Sequence, residues 1–182
     1  MNERTLKIRK STNADIPRIT EIYARSVREE TASFELIEPN ETEMAKRRKA
    51  LLEEGYPHLV AEVNGHVVGY AYAGAFRPRP AYGLTVESTV YVDPDIQRGG
   101  IGRALMRRVI EECKTRGFRQ MIAIVGGSDH TASIAFHKSL GFVDAGTVKS
   151  VGYKHGKWLD TVYLQLALGP GDATPPDKIP GG

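Results

Sequence analysis

The sequence predicts an α/β domain: one mixed central sheet with helices packed on both of its faces. Three observations carry this expectation. Asn64-Gly65 separates two strand-like segments, 59–63 and 67–73, and Asn-Gly at that spacing is the strongest short-range hairpin signal. Met121-Ile122-Ala123-Ile124-Val125 is an unbroken apolar run, the pattern of an inner strand covered from both sides. Between the strands, apolar residues recur at helical spacing, as in Ile16, Ile19, Ile22, Tyr23 and Val27.

In chain order, Leu6 and Ile8 begin a short strand, and Asp15 stands where a helix N-cap is expected before the first amphipathic helix. A looser segment from Phe34 to Pro39 leads to a second helix over about 41–54, with Met44, Leu51 and Leu52 inward and Gly55 as its stop. The hairpin follows, then a strand around Glu87 and a helix over about 100–116 carrying Leu105, Met106, Val109, Ile110 and Cys113 on one face. The apolar strand, a short helix over about 131–140 ending at Gly141, and two strands near 142–150 and 159–168 complete the pattern. One domain, 1–168, accounts for these elements. The proline- and glycine-rich stretch 169–182 has no apolar periodicity and is expected to be a flexible tail.

With 182 residues, 41% of them hydrophobic, and a formal net charge of +3, the chain suits a single globular core. Its cations are scattered among acids, as in Lys46-Arg47-Arg48-Lys49 followed by Glu53-Glu54. No basic stripe with interleaved aromatics marks a nucleic-acid surface. No apolar run reaches membrane-spanning or signal-peptide length, so a cytoplasmic protein is expected, without membrane or nucleic-acid partners. The single cysteine excludes an intrachain disulfide, and the five histidines lack a metal-ligand spacing, so no metal is expected.

The chemistry concentrates in one region. Val86-Glu87-Ser88-Thr89-Val90-Tyr91-Val92 puts a carboxylate on a strand, and Gln97-Arg98-Gly99-Gly100-Ile101-Gly102-Arg103 follows within a few residues. Glycines without Cβ atoms let an anion approach the backbone, and the first N–H groups of the next helix have no intrahelical acceptor. Arg98 and Arg103 add charge, so this turn is expected to hold a pyrophosphate. Neither the dinucleotide fingerprint nor the P-loop pattern is present.

This turn resembles the coenzyme-A-binding motif of the GNAT acetyltransferases, Gln/Arg-x-x-Gly-x-Gly/Ala, through Gln97, Gly100 and Gly102. The order of elements resembles the same superfamily from Leu6 to about Leu168. Three stretches are similar to its phosphinothricin N-acetyltransferase branch: Thr85 to Val92, Tyr72-Ala73-Gly74-Ala75-Phe76-Arg77-Pro78-Arg79, and Gly152-Tyr153-Lys154-His155-Gly156-Lys157-Trp158-Leu159-Asp160. The resemblance implies a mostly antiparallel sheet, acetyl-CoA as acyl donor, a homodimer, and acetylation of the α-amine of a small amino acid with a phosphinate, sulfoximine or sulfone head.

Roles follow from that implied reaction. An ammonium must lose a proton before it attacks a thioester, which makes Glu87 the candidate general base. The backbone of Val90, Tyr91 and Val92 is the candidate partner for the pantetheine arm and the oxyanion. His137 stands where the superfamily usually places a tyrosine that protonates the leaving thiolate; a proton donor and a packing histidine are both open readings. His130 stands where many members have a cofactor-contacting asparagine. Arg77 and Arg79 are candidates to grip the acceptor's acidic oxygens. Phe34 and Thr89 match the branch's acceptor-lining segments, and Lys154, His155, Lys157 and Trp158 its dimer-facing end. Two other readings are an acetyltransferase for protein or peptide N-termini, and a non-catalytic acetyl-CoA-binding regulatory module.

Overall fold

The structure is a computed structural model and describes residues 5–96 and 99–177. It contains β1 (Leu6–Lys10), α1 (Ile16–Glu29), α2 (Glu41–Glu53), β2 (His58–Val63), β3 (His66–Ala75), β4 (Thr85–Val92), α3 (Ile101–Thr115), β5 (Gln120–Gly126), α4 (Thr131–Lys138), β6 (Val143–Lys154) and β7 (Lys157–Ala167). The strands form one seven-stranded sheet in the order β1-β2-β3-β4-β5-β7-β6. Only β4 and β5 run parallel to each other.

Alternation along β2 assigns the two faces. Leu59 and Ala61 point into the cluster built on Leu105, Met106, Val109 and Cys113 of α3. Val60 points the other way, into the cluster of Ile16, Ile19, Tyr23 and Val27 of α1 with Met44 of α2. α3 therefore covers one face, and α1 and α2 cover the other. Each of these helices presents the apolar stripe read from its spacing, except that Leu52 is 41% exposed.

Three local expectations change. The helical region starts earlier than Asp15, with a 3-10 turn over Asn13–Asp15. The Asp15 carboxylate reaches back to Thr12 N at 2.7 Å and takes two 2.8 Å bonds from Arg9. Asp15 does occupy the N-cap position of α1, but its side chain makes no cap bond to that helix and is instead the returning partner of a capping box with Thr12; Arg9 holds its pKa down at about 2. The last two strands are longer than expected and meet in a tight hairpin, because His155 and Gly156 both adopt positive φ, 51° and 76°. Residues 169–174, expected to be flexible, lie beside the start of β5, where Arg119 donates to the Gly171 carbonyl at 2.8 Å and to Thr174 Oγ1 at 2.8 Å.

His58 is 4% exposed and packs against both Tyr70 and Tyr72, ring centroids 5.9 and 5.4 Å away. Its Nδ1 has no partner among the described residues. Burial, reinforced by Arg48 and opposed by Asp15, pushes its pKa down to about 4. The folded ring stays neutral while the unfolded chain takes up a proton near its ordinary pKa of 6.5. Stability from this site is therefore complete above that pH and is lost as the pH falls towards about 4, by up to about 3 kcal/mol. Denaturant unfolding of His58→Phe should show a weaker loss of stability between about pH 7.5 and about pH 5 than the wild type shows.

Candidate active site

The parallel pairing of β4 with β5 is short. It runs from Thr85 opposite Gln120 to Ser88 opposite Ala123 and then stops. Beyond it the strands part, leaving Thr89, Val90, Tyr91 and Val92 on one side and Ile124, Val125 and Gly126 on the other. These residues line a cleft of about 1030 Å³. Because β4 remains paired to β3 through Val92, the parting frees only its β5-facing backbone groups. Those groups need a partner from a bound molecule or from water.

One end of the cleft is built for an anion. Gly100 is the N-cap of α3 at φ 70°, a left-handed conformation that a side chain would strain. The first intrahelical bond of this turn is Ala104 N to Gly100 O, at 2.9 Å, so the amides of Ile101, Gly102 and Arg103 lack helical acceptors. A Cβ at Gly102 would meet only ordinary contacts, 3.6 Å from the Phe136 ring and from Val92. Ile101 contributes only backbone to the cleft, since its side chain is 4% exposed and lies in the core. Arg103 Nη2 donates to Ser139 Oγ at 2.8 Å, tying the turn to the end of α4. Gly99 is exposed beside it. Gln97 and Arg98 lie outside the described residues.

The other end carries Glu87, half-buried on β4 between Gly74 and Ile122. Burial raises its pKa above the ordinary carboxylate value, and the charge of Arg77 opposes the shift. Among the described residues no hydrogen bond to its carboxylate contributes, which leaves both oxygens to a ligand or water. Tyr23, Tyr72 and Tyr91 form an aromatic wall nearby. Tyr91 packs edge-on to Tyr23 at 5.0 Å, so its side chain belongs to that wall. Thr89 lies opposite Tyr72 across β3 and β4.

The two histidines differ. His130 Nε2 is 2.8 Å from Thr31 Oγ1, which joins the start of α4 to the loop after α1. His137 is 7% exposed, and its Nδ1 lies 2.9 Å from the Ser133 carbonyl. A carbonyl only accepts, so Nδ1 carries the proton and Nε2 of the neutral ring presents a lone pair. Burial lowers the pKa of this ring, and its bond to Ser133 opposes that shift.

Thus the structure brings Phe34, Glu87, Thr89, Val90, Tyr91, Val92, Gly100, Ile101, Gly102, Arg103, His130 and His137 round one cleft. It does not bring Arg77 and Arg79 into the cleft lining. Arg77 lies exposed over its neighbour Phe76, 4.4 Å from guanidinium carbon to ring centroid, and Arg79 is exposed before a 3-10 turn over Pro80–Tyr82. Sequence reasoning missed Tyr23 and Glu35, which are joined by a 2.8 Å hydrogen bond beside the acceptor end. Tyr23 read as one more apolar helix position, and the resemblance singled out Phe34 but not its neighbour Glu35.

An anion-binding helix start, an unpaired strand edge and a partnerless carboxylate, in that order along one cleft, suit transfer of a group from a phosphate-bearing carrier to an amine. Residues 18–142 match the acetyltransferase (GNAT) family, and the chain belongs to that family. A phosphinothricin N-acetyltransferase from Alcaligenes faecalis is 50% identical over 163 residues, which cover 90% of this chain and 83% of the relative. An L-methionine sulfoximine/L-methionine sulfone acetyltransferase from Salmonella typhimurium is 40% identical, covering 90% of this chain and 95% of the relative. Among solved structures, a phosphinothricin acetyltransferase from Sinorhizobium meliloti in complex with AcCoA superposes with a TM-score of 0.92 at 45% identity, covering 97% and 96% of the two chains.

Proposed function

We propose that this protein transfers the acetyl group of acetyl-CoA to the α-amine of a small acidic or methionine-derived amino acid, such as phosphinothricin, methionine sulfoximine or methionine sulfone. The observation that carries the chemistry is the partnerless Glu87 carboxylate at one end of a cleft whose other end is the bare start of α3. The acceptor class rests on the relatives' activities together with the size and aromatic lining of that cleft.

In this reading the pyrophosphate of acetyl-CoA lies on the amides of Ile101, Gly102 and Arg103, and the pantetheine runs along the free edge of Val90, Tyr91 and Val92. Glu87 takes a proton from the acceptor ammonium, directly or through water. The amine then attacks the thioester carbon, and the oxyanion that forms is stabilised by free β4 amides. Collapse expels the thiolate of CoA, which takes up the proton still carried by the new amide nitrogen, and the proton held by Glu87 passes to solvent. His137 acts as a hydrogen-bond acceptor, because its protonated form is disfavoured by burial and the neutral ring has no proton at Nε2 to give. Direct transfer is favoured over an acyl-enzyme, since Cys113 is fully buried and its thiol is pushed up to about 12. The same buried, reduced thiol suits a cytoplasmic setting.

Arg77 stands outside the cleft lining, but its charge is felt at Glu87, so it is the candidate to draw the acceptor's acid group to the mouth of the cleft. Arg77→Ala should raise the acceptor KM by about tenfold, the effect of losing a charged hydrogen bond, with the acetyl-CoA KM unchanged. Steady-state kinetics with each substrate varied in turn checks this. Arg79→Ala should have the smaller effect.

We also propose a homodimer through the β6 edge. Val143, Val148, Val151 and Tyr153 on β6, with Trp158 facing Tyr153 from β7, are 46–66% exposed, apolar surface that a monomer would leave wet, and the resemblance to the phosphinothricin branch supplies a second copy as its cover.

The test of the acceptor class is thiol release from acetyl-CoA against a panel of free amino acids, their sulfone, sulfoximine and phosphinate analogues, and short peptides. Turnover with the analogues and none with peptides is expected. Preference for peptides would overturn the small-acid reading, and no thiol release with any acceptor would point to a binding module.

A further inference from the structure

β6 buries one ionisable side chain and exposes nearly everything else. From Val143 to Val151 every residue is exposed, Tyr153 is 58% exposed, and Lys154 at the end of the strand is 4% exposed. Burying an ammonium is costly without partners, yet the hydrogen bond of Lys154 Nζ goes to a single backbone carbonyl, that of Ser33, at 2.7 Å. Glu30 and Glu35, on either side of Ser33 in sequence, add attraction from the same segment.

That segment, residues 30–36, is a strap across the acceptor end of the cleft. Glu30, Ala32, Ser33, Phe34 and Glu35 all line the cleft. Among the described residues no backbone group from Thr31 to Pro39 bonds another backbone group, and every hydrogen bond that ties the strap down involves a side chain. Tyr23 OH and Ser33 Oγ are 2.9 Å apart, Arg47 donates to Glu35 at 2.6 Å, and Thr31 meets His130. The Phe34 ring fills a notch that two glycines leave open. A Cβ at Gly126 would stand 2.6 Å from Phe34 Cε1, and one at Gly152 would stand 2.7 Å from Phe34 Cδ2. Gly152 is only two residues before Lys154, so one short stretch of β6 provides both the notch and the ammonium.

We propose that Lys154 is a positioning residue for the acceptor: its buried ammonium holds the Ser33 carbonyl, which seats Phe34 in the notch between Gly126 and Gly152 and closes the acceptor end of the cleft. The proposal rests on the acceptor site described above. It concerns a residue that touches neither substrate, and its effect is confined to the acceptor side because the start of α3 lies at the other end.

The experiment compares wild type, Lys154→Met and Lys154→Gln by steady-state kinetics with methionine sulfone and by amide hydrogen exchange. Lys154→Met should raise the acceptor KM by about tenfold or more while kcat stays within about threefold and the acetyl-CoA KM is unchanged. Exchange of amides 31–36 should accelerate, with the core of α3 unaffected. Lys154→Gln, which retains a donor for Ser33, should recover part of the acceptor affinity. An unchanged acceptor KM, or unchanged exchange in the strap, would overturn the proposal. If Lys154→Met fails to fold, Gly152→Ala decides the matter: it evicts the Phe34 ring with Lys154 in place and should give the same acceptor-selective rise in KM, and its absence would overturn the proposal. A wild type that acetylates no amino acid would overturn the acceptor reading itself, a result distinct from either failure.

Discussion

Glu87→Gln is expected to lower turnover by about two to four orders of magnitude, the range for losing a general base, while acetyl-CoA affinity stays near wild type. The isosteric amide keeps the half-buried position filled but cannot take a proton. The same substitution should raise the melting temperature near neutral pH, because burial raises the folded pKa of Glu87 above its unfolded value. The folded state then binds more protons than the unfolded one between the two values, so this site costs stability as the pH rises through that window. Above the folded pKa the whole cost applies, and glutamine removes it. A variant that is both slower and more stable would be the mark of a strained catalytic group. A variant with full turnover would remove Glu87 from the chemistry.

Gly102→Asp should abolish measurable acetyl-CoA binding while leaving the fold intact. The space beside Gly102 admits a Cβ at 3.6 Å from its nearest neighbours, and a carboxylate in the first turn of a helix is favourable to the helix itself. The loss would therefore come from charge repulsion against the pyrophosphate and from blocked approach to the amides. Calorimetric titration with acetyl-CoA, beside a circular dichroism melt, separates the two effects. Gly100→Asp is the poorer probe, since its positive φ adds backbone strain.

What the sequence made legible was local. Glu87 and the glycine turn lie within a few residues of each other, on a strand and at a helix start that their own spacing announces. The hairpin at Asn64-Gly65 was equally plain, because both residues adopt the positive φ that such a turn requires. The matching turn at His155-Gly156 was missed, since histidine rarely signals that conformation. Asp15 does stand at the N-cap of α1, but its carboxylate turns back to Thr12 and Arg9, a partnership the local sequence could not show because Arg9 arrives from strand β1 lying beside it. The resemblance placed Phe34 at the acceptor end, but what holds its strap was beyond reach: Lys154 and Ser33 are 121 residues apart, and Thr31 and His130 are 99 apart. No periodicity or motif encodes a contact that only the closed sheet creates. Arg77 and Arg79 show the converse, since a suggestive spacing of two guanidinium groups does not by itself bring them into a cleft.

Direct transfer of an acetyl group from acetyl-CoA to an amino acid's α-nitrogen is the centre of this account. The most direct test incubates the protein with acetyl-CoA and methionine sulfone, and follows free thiol, the acetylated amino acid and the intact mass of the protein together. The account predicts one N-acetylated methionine sulfone for each thiol released, with no acetyl adduct on the chain at any time. Thiol release without acetylated amino acid, or an acetyl adduct that forms on the protein and then decays into product, would contradict it.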